Sequence, residues 1–484
     1  MTKKTTAPPP AYFLSLSLEN VRSFGEKQTI YFTEGGVRHQ EFTEDHLGDG
    51  VPSQWTIILG DNGVGKTTIL KSLAALMPSR RPFETDTARK VGQAEYYSTS
   101  YFDGWRHDWL LLRNEENKRA EFTNLKYVAC TGKRLEDFSR SYVYDATTDH
   151  TMATINCTYV NDHVYNAHSL VDSKSLGLIC YGYGAGRTVG NSAIGEVYGN
   201  SDSYISLFDD RAALLDPQEW FLNIDYGSRL AGGNAKQLEN ARNLVESMLK
   251  KVLPGVTELR ISSTGTPQKP QINLEFLLFD NWVRLRDMSL GYQTLVVWLT
   301  DFASKLFIRY PDSPNPLEEP AIVLIDEIDL HLHPSWQRKL IGFLSGVFKN
   351  TQFIATAHSP LVVQAAGDQP GGANVVLLKR EGDQTKVHQN PEDVRGWRLD
   401  QIMTSELFGL ETARSLATEE KLAERAALLS KTRRTAAEKK RLQELTAELD
   451  QQPLGETPSE RDVNAVLQQL RQKLGRNPSD APAA

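Results

Sequence analysis

The chain has 484 residues and a formal net charge of −7. It is too long for one ordinary core and too acidic for wholesale attraction to polyanions, so any contact with nucleic acid has to be a local feature. Its three cysteines, Cys130, Cys157 and Cys180, suit neither a disulfide framework nor a four-cysteine zinc site, no run approaches about 18 apolar residues, and the leader MTKKTTAPPPAYF has prolines where a signal sequence has an apolar core. A cytoplasmic protein without a membrane partner is expected.

After a disordered leader over residues 1–11, YFLSLSLENVRSF and KQTIYF alternate apolar and polar residues and predict half-buried antiparallel strands. WTIIL reads as a short buried strand, and GDNGVGKTTILKSLAALM as a Gly-rich turn that opens a helix. From about 90 to 180 the sequence is aromatic and β-rich, which predicts an antiparallel insertion. LGLICYGYGAGR is a strand running into glycines, DPQEWFLNIDYGSRL and ENARNLVESMLKKVLP read as helices, and QINLEFLLFDNWVRL as a second β segment. MSLGYQTLVVWLTDFASKLF becomes helical in its later part. AIVLIDE, SWQRKLIGFLSGVF and TQFIATAHSP then alternate strand, helix and strand, the pattern of a parallel α/β sheet. Beyond residue 411 the composition turns rich in Ala, Glu, Lys, Arg and Leu, and two charged helices with a break at QQPLGETPSERD are expected.

GDNGVGKT, residues 60–67, matches G-x-x-x-x-G-K-[ST] between a predicted strand and a predicted helix. Gly60, Gly63 and Gly65 let backbone N–H groups curl round phosphate oxygens, and the helix N-terminus adds partial positive charge. The nucleotide-binding set is therefore Gly60, Asn62, Gly63, Gly65, Lys66, Thr67 and Thr68, with Lys66 on the β- and γ-phosphates and the Thr67 hydroxyl on Mg²⁺. Such a loop needs carboxylates at the end of a neighbouring buried strand. AIVLI followed by Asp326 and Glu327 supplies two: Asp326 on the magnesium side, and Glu327 as general base toward the attacking water. His331 and His333 follow within a few residues; a zinc pair is the competing reading, but the acids already have an occupation, so the histidines are expected to shape a turn before a helix starting near Ser335.

This set of motifs resembles the ABC-type ATPase heads of the RecF and SMC kind. MSLGYQ, residues 288–293, looks like a degenerate ABC signature, with Ser289 and Gly291 in the serine and second-glycine positions and Leu290 and Tyr292 departing from the strict pattern. DEIDLHLHP resembles the family's Walker B and D-loop, and ATAHSP puts His358 at the switch-histidine position. The resemblance implies an α/β P-loop head with a mixed sheet, an antiparallel β insertion and a helical C-terminal region. It implies lobe I over about 12–280, lobe II over about 281–410, and a region at 411–484 that could dock a partner. ATP and Mg²⁺ are the implied cofactors, with Glu327 and His358 in catalysis. In that family two heads close on ATP, Ser289 and Gly291 of one head facing the phosphate loop of the other.

The stretch between Lys66 and Ser289 has no sustained heptad pattern, unlike a long-armed SMC protein; no separate acidic cluster after residue 370 suggests a fused TOPRIM nuclease, and no Cys/His pattern suggests a fused HNH nuclease. Stand-alone heads of this kind resemble ATPases of bacterial anti-phage systems, particularly the Septu type, whose ATPase works with a separate HNH nuclease. YGYGAGR, LLDPQEWFLNIDYG and WRLDQIMTSELFGLET share the flavour of that group. The implied partners are a second head or a higher even oligomer, a separate nuclease subunit of HNH type, and nucleic acid reached through the complex. The competing function is a RecF-like ATPase of DNA repair that senses DNA structure and binds duplex itself. Arg187 reads either as a surface arginine after a turn or as a group reaching nucleotide or the dimer seam. KTRRTAAEKKRLQEL has six basic residues, enough for phosphate contacts, but its interrupting glutamates favour a solvated helix with i,i+4 pairing; the leucines in and around it offer instead a helical hairpin that docks on a partner.

Overall fold

A computed structural model describes residues 11–36, 51–75, 122–131, 136–145, 150–157, 180–187, 189–192, 202–210, 212, 214–230, 234–410 and 412–450. Apart from Ala11 the expected leader lies outside them, as does the expected helix break after residue 450. The chain forms two compact units, Met1–Gly409 and Leu410–Ala484.

In the first unit the elements run β1 (Ala11–Glu19), β2 (Gln28–Tyr31), β3 (Trp55–Gly60), α1 (Lys66–Ala75), β4 (Phe122–Thr131), β5 (Glu136–Asp145), β6 (His150–Cys157), β7 (Cys180–Tyr183), β8 (Val189–Ser192), β9 (Leu214–Leu215), α2 (Pro217–Arg229) and α3 (Ala235–Val252). They continue as β10 (Val256–Thr266), β11 (Lys269–Leu278), β12 (Asn281–Arg284), α4 (Leu290–Arg309), β13 (Ala321–Ile325), α5 (Pro334–Val347), β14 (Thr351–Thr356), α6 (Pro360–Gly367), β15 (Asn374–Glu381), β16 (Gln384–Gln389) and α7 (Leu399–Met403).

The central sheet has the order β16-β15-β3-β14-β13-β7. β7, β13, β14, β3 and β15 are parallel, and β16 closes one edge antiparallel to β15. Its strands are apolar on both faces because helices or a second sheet cover both. Trp55, Ile57, Val323, Ile325, Phe353 and Ala355 enter one core, whereas Ile58, Ile322, Leu324 and Ile354 enter the other, as the two-residue period requires. Trp55 stacks on Phe353 at 4.3 Å between ring centroids. Strands from both expected lobes share this one sheet, since β13 and β14 lie between β3 and β7.

A second, antiparallel sheet has the order β2-β1-β4-β5-β6. β4 pairs along β1 from Ala11↔Thr131 to Glu19↔Asn124, so the β-rich stretch expected as an insertion extends a sheet begun at the N-terminus. β10, β11 and β12 form a third, three-stranded meander.

The glycines of YGYGAGR mark a close backbone approach. Ser206, in the Asp202–Leu207 turn, donates its hydroxyl to the Gly182 carbonyl at 2.8 Å, and a Cβ on Gly184 would lie 2.1 Å from the Ser206 carbonyl oxygen. Gly184→Ala is therefore expected to destabilise the fold by about 1–3 kcal/mol, the usual scale for overpacking, read as a lowered unfolding midpoint. An unchanged midpoint would mean that the turn yields freely.

In the second unit, α8 (Leu416–Ser430) and α9 (Ala436–Asp450) form a hairpin tied by Lys421–Glu448 and Arg441–Glu424, each at 2.7 Å. The first of the two expected charged helices is thus itself two helices. KTRRT makes the turn, where Arg434 donates through Nε to the Leu428 carbonyl at 2.5 Å and also to the Leu429 carbonyl. Leu428, Leu445 and Leu449 are buried, while Leu429 is exposed.

Candidate functional site

The loop between β3 and α1 is shaped by its glycines and pinned from outside. Gly60, Gly63 and Gly65 have φ of 142°, 80° and 103°, and a Cβ on Gly60 would fall 2.5 Å from the Leu378 carbonyl oxygen. Ser23 and Thr385 both donate their hydroxyls to the Val64 carbonyl, at 3.0 and 2.8 Å. Lys66 is buried, with Nζ donating to the Gly60 and Asp61 carbonyls at 2.7 and 2.8 Å. Burial lowers its pKa, and Asp326, Glu327, Asp61 and Asp329 pull the other way.

β13 ends beside this loop, and its acids are held by a short chain of hydrogen bonds. Thr67 donates Oγ1–H to Asp326 Oδ2, Thr356 donates Oγ1–H to Asp326 Oδ1, and the Glu327 N–H donates to Thr356 Oγ1, each at 2.7 Å. The Asp326 N–H donates to the Tyr183 carbonyl at 2.8 Å. Glu327 has φ of 49°, a left-handed conformation uncommon outside glycine. His358, exposed after β14, donates its N–H to Asp329 Oδ2 at 3.0 Å.

These groups meet in a cleft of about 530 Å³ lined by Asn62, Gly63, Gly65, Lys66, Thr67, Thr68, Asp326, Glu327 and His358 from the expected set. Gly60 lies just behind as the acceptor of the Lys66 ammonium. Arg22, Ser23 and Arg380 also line the cleft. None of the three carries a local motif. Arg22 and Ser23 sit in the turn closed by the Val21–Phe24 bridge, and Arg380 near the end of β15, so only sheet order brings them to the loop.

Ser289 and Gly291 are not part of that lining. Ser289 is the exposed N-cap residue of α4, and its side chain makes no cap bond. Behind it, Gly291 packs so closely that a Cβ would lie 2.5 Å from the His331 carbonyl oxygen, and the Tyr292 ring meets Trp336 edge-on at 4.1 Å. The helix start is thus seated on the turn after Glu327 while its serine faces outward.

His333 caps α5, its Nδ1 accepting from the Ser335 N–H at 3.2 Å. Among the described residues no cluster of three or more His, Cys, Asp or Glu could hold a metal ion. Elemental analysis of the purified protein is expected to find no stoichiometric zinc, whereas one zinc per chain would reinstate His331 and His333 as ligands. No helix among the described residues is long and apolar enough to cross a membrane.

Two models described as AAA domains match, one over residues 15–141 and the other, whose description adds the AbiEii toxin and Type IV TA system, over 197–364. A Septu protein PtuA of Bacillus thuringiensis is 37% identical over 374 residues, covering 74% of this chain and 79% of the relative. The chain belongs to the Septu PtuA family. A PtuA of Bacillus mycoides is 25% identical over 74% of this chain, and the "Retron Ec83 probable ATPase" of Escherichia coli 35% identical over 42%. The chain spans only 41% and 34% of the lengths of those two. This PtuA-family chain thus carries an ATPase domain matched by the two AAA models.

Proposed function

We propose that the chain binds and hydrolyses ATP as a subunit of an anti-phage defence complex, and that ATP-driven closure of two heads regulates a separate nuclease subunit of HNH type. The observation that carries this reading is the Thr67–Asp326–Thr356–Glu327 hydrogen-bond chain beneath a phosphate loop in one cleft. Family membership supports the defence setting.

The residues present fit Mg²⁺. Thr67 Oγ1 and Asp326 Oδ2 are hard oxygens 2.7 Å apart. Adjacent corners of an octahedron of oxygens at about 2.0–2.1 Å are separated by about 2.9 Å. Thr67 and Asp326 would hold the ion, which would neutralise phosphate charge and polarise the transferred group. Lys66 exchanges its carbonyl partners for β- and γ-phosphate oxygens, and the loop N–H groups and the α1 N-terminus bind the remaining charge. Glu327 accepts a proton from the attacking water, and His358, which lines the same cleft, serves as the switch histidine beside the γ-phosphate. In the closed pair the partner head's signature, equivalent to Ser289 and Gly291, covers the phosphates and shields them and the attacking water from bulk solvent.

Lys66→Ala removes a charge-assisted contact worth about 1.5–3 kcal/mol, so ATP affinity is expected to fall roughly 10- to 150-fold in a calorimetric titration. Unchanged affinity would show that Lys66 does not face the phosphates. The reading as a whole is tested by purifying the chain with the product of its neighbouring gene and measuring DNA cleavage with and without ATP. Nuclease activity that changes with ATP, and not with ATP added to Lys66→Ala, supports it. Cleavage indifferent to both sinks the regulatory role.

A further inference from the structure

Arg187 is a buried cation that the cleft does not use. It is 8% exposed, is not among the residues lining the cleft, and donates through Nη2 to the main-chain carbonyl of Glu327 at 2.7 Å. Its Nε is buried and has no hydrogen-bond partner among the described residues. A neutral donor could have satisfied one carbonyl without the desolvation cost of a guanidinium, so the charge needs a reason. Burial pushes its pKa down to about 10, leaving it cationic at neutral pH, and Asp326, Glu327 and Asp329 offset part of that burial.

The residue whose carbonyl Arg187 holds has a strained backbone. Glu327 sits at φ 49°, with its N–H on Thr356 Oγ1 at 2.7 Å and its carbonyl taken by Arg187 and by the Leu330 N–H at 3.1 Å. A left-handed glutamate persists only where surrounding bonds over-determine it. Arg187 can supply one of those bonds because its turn is itself fixed. Tyr183, four residues earlier, donates its hydroxyl to Asp301 Oδ2 at 2.8 Å, and Lys305 holds the same oxygen at 2.6 Å. Gly182 and Gly184 let the 202–207 turn close over the backbone between them. β7 lies beside β13 in register, Ile325 opposite Tyr183, which brings the following turn to the residues after Ile325.

We infer that Arg187 is a positioning residue: it clamps the Glu327 carbonyl, fixes that residue's left-handed backbone, and so aims the Glu327 carboxylate at the position of the attacking water. The inference rests on the proposed role of Glu327. Its competitor is a cation that merely balances three nearby carboxylates.

Three readings on the full-length chain separate these. In Arg187→Gln, kcat for ATP hydrolysis is expected to fall about 10- to 100-fold, the scale of a misplaced reacting group, with KM within about threefold. Without nucleotide, amide exchange in the peptide around 326–330 is expected to quicken, because the clamp acts before ATP arrives. In a Glu327→Gln background, Arg187→Gln is expected to add little further loss, since the group it aims is already gone. Arg187→Lys keeps the charge, reaches one carbonyl less rigidly, and is expected to recover part of kcat; it carries the same readings if Arg187→Gln does not fold. Unchanged kcat, a loss residing in KM with unchanged exchange, or losses multiplying with Glu327→Gln would each overturn the inference. Full recovery of kcat by lysine with exchange at the wild-type rate would favour the charge-balancing competitor. If the unmodified chain itself does not hydrolyse ATP, alone or with its partner, the proposed function fails instead, and the exchange reading still decides the clamp.

Discussion

Glu327→Gln is expected to bind ATP with nearly unchanged affinity and to hydrolyse it about 10²- to 10⁴-fold more slowly, the range for a lost general base. The amide has the shape of the carboxylate, so the peptide bonds that set the backbone, Thr356 Oγ1 to the N–H and Arg187 to the carbonyl, have no reason to change. Lys66, the loop glycines and Asp326 also stay in place. What disappears is the ability to take a proton from water. Single-turnover hydrolysis beside a calorimetric titration separates chemistry from binding. Wild-type turnover would mean that the two acids are misassigned, and a collapse in affinity would mean that Glu327 holds nucleotide. Asp326 differs because both its oxygens are already engaged, by Thr67 and Thr356, which suits a group fixed beside an ion and not one that moves a proton.

The second large effect concerns assembly. Ser289→Arg is expected to leave ATP binding to the isolated head nearly intact but to abolish ATP-dependent closure of two heads. Ser289 lies at the exposed start of α4, outside the cleft of its own chain, so its loss removes nothing from the phosphate loop. In the proposed closed pair the α4 N-terminus, whose serine makes no cap bond, would face the partner's γ-phosphate. An arginine there brings length into a seam that has to close. Gly291 and Tyr292 seat the helix start against His331 and Trp336, so the helix cannot simply retreat. The measurement is a distance between labelled heads with ATP, in a Glu327→Gln background where hydrolysis does not reopen them. Assembly mass is the wrong reading, because another interface could hold subunits together regardless. Heads carrying the arginine that close as readily as those retaining Ser289 would reduce MSLGYQ to a helix start.

The phosphate loop and the acid pair were legible because each is contiguous: the residues that curl the chain are the residues that would bind, and a buried strand announces itself by apolar side chains on both faces. GDNGVGKT and AIVLIDE needed no neighbour to be read. The helix break at KTRRT was not legible, because an arginine side chain, and no glycine or proline, satisfies the terminal carbonyls of α8. That bond depends on where the chain turns back, which local composition does not encode.

What the sequence by itself determined is therefore the local chemistry: a loop fit for phosphates, two carboxylates at a strand end, a serine at a helix start and a histidine after a strand. Which distant groups stand round that chemistry was decided only by sheet order. β7 beside β13 turns Arg187 from a plausible surface residue into a buried clamp on Glu327, and β14 between β3 and β13 puts the Thr356 hydroxyl between the acids. The packing of β15 against β3 carries Arg380 to the cleft, and the turn after β1 carries Arg22 and Ser23. Parallel neighbours in a sheet are joined by long crossovers, so residues far apart in the chain meet through register alone.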